Sequence, residues 1–296
     1  MKYQKMHKIL FKSMLILLLI TKITMSMDIV IRLENARGAF ASAIYEHKIQ
    51  DKYYIEKTFK NHKEFNDELE KVLALQESLK GYMLEKTSDM PSFAIYQKHR
   101  DLSITYEKAK GETLWDFLIR AAITEIDFSI IGDEFSNANT FHVMKNLRKA
   151  VHSIAKFHIW FKDPNDDTFL SCVHGDMSPS NVFFNLYDGA VSFIDYSTFS
   201  YPEKKDVIID INKLFNRYEA IGSDLTYGIM AALQEKHLYG EVFNQEYQAS
   251  LQRLQKLKRV MAEGYNDALK EASMVFMLSQ NEEGKFILER NNKGQK

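Results

Sequence analysis

Three polar side chains in one stretch have the types and spacing to assist phosphoryl transfer. The stretch runs from Val173 to Tyr196 and reads VHGDMSPSNVFFNLYDGAVSFIDY. Asp176 is followed five residues later by Asn181 and, fourteen residues after that, by Asp195. Magnesium takes oxygen ligands, typically one or two carboxylates together with phosphate oxygens. Asp195 and the amide oxygen of Asn181 can supply the protein's share. Asp176 is then left to accept a hydrogen bond from the attacking hydroxyl, as base or orienting group. An isolated His-Gly-Asp would read as a chance loop between core strands. Here the Asn, a hairpin and the second Asp follow in register, which argues against chance.

The elements that must position these groups are short and local. Val182–Leu186 reads as one strand and Ala190–Ile194 as the next. Asp188-Gly189 between them is a hairpin signal, because Gly accepts the positive φ of a tight turn. Such a hairpin returns Asp195 to the side of Asn181, with Asp176 on the loop leading in.

His174-Gly175-Asp176, four residues, Asn181, then Ile194-Asp195 resembles the catalytic signature of the protein-kinase-like superfamily. It is similar to the branch of aminoglycoside phosphotransferases, choline kinases, fructosamine kinases and RIO-type kinases. Protein kinases carry H-R-D and D-F-G instead, so H-G-D and I-D-Y favour the small-molecule branch. The resemblance implies an α+β, bilobal fold. A small antiparallel sheet with one helix would precede a larger helical lobe, with the nucleotide in the cleft between them. It implies ATP (or GTP) and Mg2+ (or Mn2+), with Asp176 catalytic, Asn181 and Asp195 on the metal, and His174 as structural support. The D-I-x-K-L pattern at Asp210 resembles the helix whose Asp accepts backbone hydrogen bonds from the catalytic loop. His158, ending a long helix, is expected to be a hydrogen-bonded structural residue.

The same resemblance reaches the first lobe by order and pattern. Strands are expected at Asp28–Leu33, Ala41–His47 and Lys52–Phe59, with a turn at Asn35–Gly38. The turn and second strand resemble the nucleotide-covering hairpin, although Gly38 is its only glycine. Ser42 would donate to a phosphate there or remain a solvated turn residue. Lys57 stands where the phosphate-pairing lysine of the third strand is expected, with Lys60 as its rival. Strand alternation places Lys57 on one face with Ile55 and Phe59, which favours Lys57. A helix from about Lys63 to Lys80 carries an apolar stripe of Phe65, Leu69, Val72, Leu73 and Leu79. Glu68 borders that stripe and is the expected partner of Lys57, with Glu70 as fallback and Glu64 as a further candidate. Phe93–Gln97 and Leu102–Glu107 read as further strands. Backbone groups from Glu107 to Ala109 resemble the hinge that would meet the adenine edge, and Thr113 would open the next helix.

The remaining chain fills the second lobe. Val143–Trp160 is expected as a long amphipathic helix, and 126–140 as a loop with a short helix. Asp163–Asp167 reads as a solvent turn. Gly222–Leu278 reads as helical, and Asn281–Lys296 as a frayed polar tail. The expected division is therefore 1–26, 27–109, 110–280 and 281–296. Acceptor recognition is expected between Asp127 and Asn139 and after Gly222, without a readable code.

Composition bounds the partners. The formal net charge of −1 removes the basic excess of a general nucleic-acid binder. Cys172 is the only cysteine, which excludes an intrachain disulfide and a cysteine-rich metal site. The nine histidines form no ligand-spaced cluster. Residues 1–26 stand apart: Lys2, Lys5, Lys8 and Lys12 precede the seven-residue apolar run Met14–Ile20, and Thr24-Met25-Ser26 offers small residues for cleavage. This order reads as a secretory signal peptide or, failing cleavage, an anchor. The run falls short of the ~20 apolar residues of a membrane span, so no stable span is expected after cleavage. A start at Met25 or Met27 would instead leave the protein cytoplasmic.

The expected function is ATP-dependent phosphoryl transfer to a hydroxyl of a small molecule. The competing readings are an exported protein kinase acting on a protein acceptor, and a nucleotide-binding pseudokinase.

Overall fold

A computed structural model describes residues 29–32, 41–49, 52–123, 137–159, 172–196, 199, 207–216, 221–235 and 241–290. The chain is α+β, with an antiparallel sheet in its N-terminal half and mainly helices after it. It divides into two units. One comprises the described residues up to Ala74 together with Ile95–Lys108; the other comprises Leu75–Ala94 and everything from Ala109 onward. Residues 1–26, the turn at Asn35–Gly38 and the acidic loop at Asp163–Asp167 lie outside the described residues.

In the first unit β1 (Ile29–Arg32), β2 (Ala41–Ile49), β3 (Lys52–Phe59), β5 (Tyr96–Arg100) and β6 (Ser103–Glu107) form one sheet in the order β1-β2-β3-β6-β5. All neighbours are antiparallel, and β3 is central, with Lys57 opposite Ile44 on one side and Ile104 on the other. Alternation sends Phe59 inward, where it meets Phe65 edge-on at 6.0 Å and packs with Ile104. Phe65 comes from α1 (His62–Glu85), which is longer than its sequence stripe suggested. Asn61 starts it: its Oδ1 accepts the backbone N–H of Glu64 at 3.0 Å, satisfying a donor the helix itself leaves open.

The second unit holds α2 (Leu114–Ile123), α3 (Asn137–His158), α4 (Ile208–Ile211), α5 (Ile221–Glu235) and α6 (Glu241–Glu271). Thr113 caps α2 as its sequence predicts, its Oγ1 accepting the N–H of Asp116 at 3.0 Å. A four-stranded sheet joins them in the order β4-β9-β8-β7, from β4 (Ser92–Phe93), β7 (Glu112–Thr113), β8 (Val182–Phe184) and β9 (Val191–Phe193). The β8–β9 hairpin is the one expected from Asp188-Gly189, with Gly189 at φ 71. Tyr82 is the buried centre of an aromatic cluster with Phe93, Phe157 and Phe199.

Two expectations are corrected. Phe93–Gln97 is not one strand. Its start belongs to β4, parallel to β9, with the Ala94 N–H on Phe193 O at 2.9 Å; its end belongs to β5. The apolar run from Phe93 to Tyr96 is unbroken, so the exchange of hydrogen-bonding partner leaves no mark on the sequence. The second concerns the C-terminus. Helix ends at Glu271, and β10 (Phe276–Gln280) and β11 (Phe286–Arg290) pair antiparallel where helix and a frayed tail were expected. Leu278 and Phe286 point inward from this hairpin and are buried. Its backbone is gripped by two helical asparagines. Asn266 donates to Leu278 O at 2.8 Å and accepts from Leu278 N at 2.7 Å. Asn216 does the same to Phe286, at 2.7 and 2.8 Å. Each amide thus acts as a short additional strand. Among the described residues no helix is long and apolar enough to cross a membrane.

Candidate active site

The loop from Val173 to Asn181 is tied to the β8–β9 hairpin by its own polar groups. The N–H of Ser178 bonds Asp176 O at 2.8 Å, and that of Asn181 bonds Ser178 O at 2.9 Å, closing a 3₁₀ turn over Pro179–Asn181. The amide nitrogen of Asn181 then donates to Asp176 twice, to its carbonyl at 2.9 Å and its carboxylate Oδ2 at 3.1 Å. With those two hydrogens used, the Asn181 Oδ1 is the end that offers lone pairs to a cation. Ile194 N bonds Asn181 O at 3.0 Å, so Asp195 follows directly from the strand end that Asn181 holds. Asp195 is exposed and has φ 55, a left-handed conformation that Asp tolerates better than most residues.

His174 locks the two ends together from beneath. Its Nδ1 accepts the Asp176 N–H at 3.2 Å, and its Nε2 donates to Ile194 O at 3.0 Å. That pattern fits the neutral ring with its proton on Nε2. Burial lowers its pKa below the ordinary histidine value, against the opposing pull of Asp210, the Ile194 carbonyl, Asp176 and Asp195. Phe93 lies parallel to the ring at 6.4 Å and Phe193 edge-on at 5.3 Å.

Asp210 sits below the loop, fully buried, and accepts the backbone N–H groups of His174 at 2.7 Å and Gly175 at 2.9 Å. His158 bonds it at 3.3 Å through Nε2 and reaches the Tyr265 hydroxyl at 2.7 Å through Nδ1. Burial by itself would raise the Asp210 carboxyl. The bonds from His158 and from the His174 backbone outweigh it and hold the carboxyl below its ordinary range. His158 is thus the hydrogen-bonded support expected. Cys172, also buried, has its thiol pushed up by burial, the opposite of an activated thiol.

Two groups escaped the sequence reading. Tyr265, on α6, completes the buried Asp210–His158 chain. Lys213 reaches Asp176: its Nζ donates to Oδ1 at 2.7 Å and to Gly175 O at 2.9 Å. The signal for Lys213 was available, since it follows Asp210 by one helical turn and shares its face.

In the first unit Lys57 Nζ lies 3.3 Å from Glu68 Oε1, both side chains largely buried, and Tyr106 donates to the same oxygen at 3.5 Å. The ammonium also lies 5.4 Å from the Phe59 ring. Glu68, rather than Glu64 or Glu70, therefore partners Lys57. Ser42 donates to Thr58 O at 3.0 Å, so its hydroxyl proton is engaged in the sheet. Glu107 closes β6, its N–H on Ile95 O at 2.8 Å, and Ala109 is buried where the chain re-enters the second unit.

Among the described residues no group of three His, Cys, Asp or Glu side chains is placed to hold a metal alone. Asn181 and Asp195 are hard oxygen donors of the kind that bind magnesium jointly with phosphate. No family model matches the chain, and no curated protein matches it.

Proposed function

We propose that the protein is an ATP-dependent phosphotransferase with a protein-kinase-like, bilobal architecture, acting on a hydroxyl of a small molecule. The observation that carries this reading is the bonded set of Asp176 and Asn181, with Asp195 delivered by the strand that Asn181 holds and the loop amides fixed on Asp210. In the reaction the acceptor oxygen bonds to the γ-phosphorus and the bond to the β-phosphate oxygen breaks, releasing ADP. The hydroxyl proton passes to Asp176 and on to solvent. A divalent metal, when bound, shields the phosphate charge; Asn181 and Asp195 are the residues that would hold it. Lys57, braced by Glu68, supplies positive charge for the α and β phosphates in this reading.

A screen with magnesium-ATP across aminoglycosides, choline, sugars and generic protein substrates tests it. Phosphoryl transfer to a small hydroxyl compound is the expected result, and no transfer to any acceptor would overturn it. A second reading has its own support. The basic, apolar and small-residue order of residues 1–26 fits export, and an exported kinase acting on a protein would label a lysate protein in the same assay.

A further inference from the structure

We propose that Lys213 is the positioning residue that aims the Asp176 carboxylate at the acceptor hydroxyl. This inference rests on the phosphotransferase reading and adds a residue to it. The two carboxylate oxygens of Asp176 are held by different groups from different elements. Oδ1 receives the Lys213 ammonium at 2.7 Å, and Oδ2 receives the Asn181 amide at 3.1 Å. Lys213 also grips the carbonyl of Gly175 at 2.9 Å, so it fixes the backbone that carries Asp176 as well as the side chain. It stands where the helix widens into a π-helical turn over Asn212–Asn216, directly after α4. Such turns recur at functional sites. One turn earlier Asp210 holds the N–H groups of His174 and Gly175, so this segment takes the donors of the loop with one side chain and its acceptors with another.

Neither contact is needed to bury charge. The Lys213 and Asp176 side chains are 25% and 37% exposed, and an exposed ion pair contributes little to stability. Aim is the quantity they control. In a loose phosphoryl-transfer transition state the hydroxyl keeps its proton late, so the orientation of the carboxylate matters as well as its basicity. A carboxylate pinned at both oxygens offers its remaining lone pairs in one direction, and misplacement by about 1 Å can cost ~10²-fold in rate.

The test uses the full chain and magnesium-ATP, with phosphate released to water and transfer to the best acceptor from the screen as rates. In Lys213→Met the maximal rate is expected to fall about 10–100-fold while magnesium-ATP affinity stays within about twofold. Lys213→Arg, which keeps the charge, should recover most of the rate. The double variant with Asp176→Asn should be no slower than Asp176→Asn alone, because Lys213 acts through Asp176. If Lys213→Met does not fold, Lys213→Gln replaces it, with the same outcomes. A rate in the charge-lacking variant within twofold of wild type, or losses that multiply in the double variant, would overturn the proposal. A wild-type protein that turns over no magnesium-ATP would overturn the phosphotransferase reading itself, and this one with it.

Discussion

In the phosphotransferase reading, Asp176 on the loop before the β8–β9 hairpin and Asp195 just after it take different roles, which their surroundings suit. Asp176 is held by Asn181 and Lys213 and lies partly covered; Asp195 is exposed at the strand end. Asp176→Asn keeps the shape and removes the base, so nucleotide affinity should survive while turnover falls by ~10²–10⁴-fold. Asp195→Asn keeps a residue tolerant of φ 55 and removes a carboxylate ligand, so magnesium-dependent nucleotide affinity should fall too. Calorimetric titration with single-turnover rates separates the two; equal loss of affinity in both variants would refute the division. His174 gives a second test at this scale. It is neutral in the fold because burial depresses its pKa below 6.5. As pH falls below the unfolded value, the unfolded chain takes up a proton that the fold refuses. Stability therefore declines as pH falls from about 6.5, by up to ~1.4 kcal/mol per pH unit for this one proton. Asp210, depressed in the fold, keeps its contribution until pH falls below the ordinary carboxylate value near 3.8. Urea unfolding between pH 7.5 and 5 should show a shallower slope in His174→Gln, which keeps a donor for Ile194 O.

The long pair α3 and α6 forms the frame behind the loop, because α3 carries His158 and α6 carries Tyr265. Their approach depends on Gly264. A Cβ built there would stand 2.2 Å from the backbone oxygen of Arg148, and a helix backbone cannot yield as a flexible side chain can. Gly264→Ala is therefore expected to cost about 1–3 kcal/mol in urea or thermal unfolding. A loss under half of that would mean the helices separate freely. Arg148 reinforces the same crossing through Asp267 at 2.6 Å and Glu263 at 3.4 Å. The pairs are half exposed, so packing rather than charge decides this contact.

At the scale of the whole molecule, the phosphotransferase reading predicts that nucleotide stabilises the fold. A ligand that binds only the folded chain stabilises it by about 2.7 kcal/mol at 100 times its dissociation constant. Magnesium-ATP at millimolar concentration should raise the melting temperature, and Lys57→Ala should reduce the rise. No shift with magnesium or manganese would remove the kinase reading. We further predict that residues 1–26 direct export and are cleaved near Ser26. Mass spectrometry of the natively expressed protein checks this, and an intact Met1 or a cytosolic protein starting at Met27 would refute it.

What the sequence determined by itself was local. Asp188-Gly189 set a turn, Thr113 capped a helix, and period-two alternation put Lys57 on the same face as Phe59. Each follows from neighbours in the chain, whose φ, ψ and side-chain directions are fixed by residue type and spacing. The choice of Glu68 for Lys57 was also legible, because a helical stripe shows which glutamate borders the core. Tertiary structure decided the rest. Lys213 meets Asp176 across 37 residues and His158 meets Tyr265 across 107, and no periodicity encodes such meetings. The strand at Ser92–Phe93 looked continuous with the next one because an unbroken apolar run from Phe93 to Tyr96 reports burial, not which strand is bonded. The C-terminal hairpin was hidden for a related reason. Its two buried apolar residues, Leu278 and Phe286, have their backbone groups bonded by Asn266 and Asn216, which lie outside the hairpin, in place of a neighbouring strand.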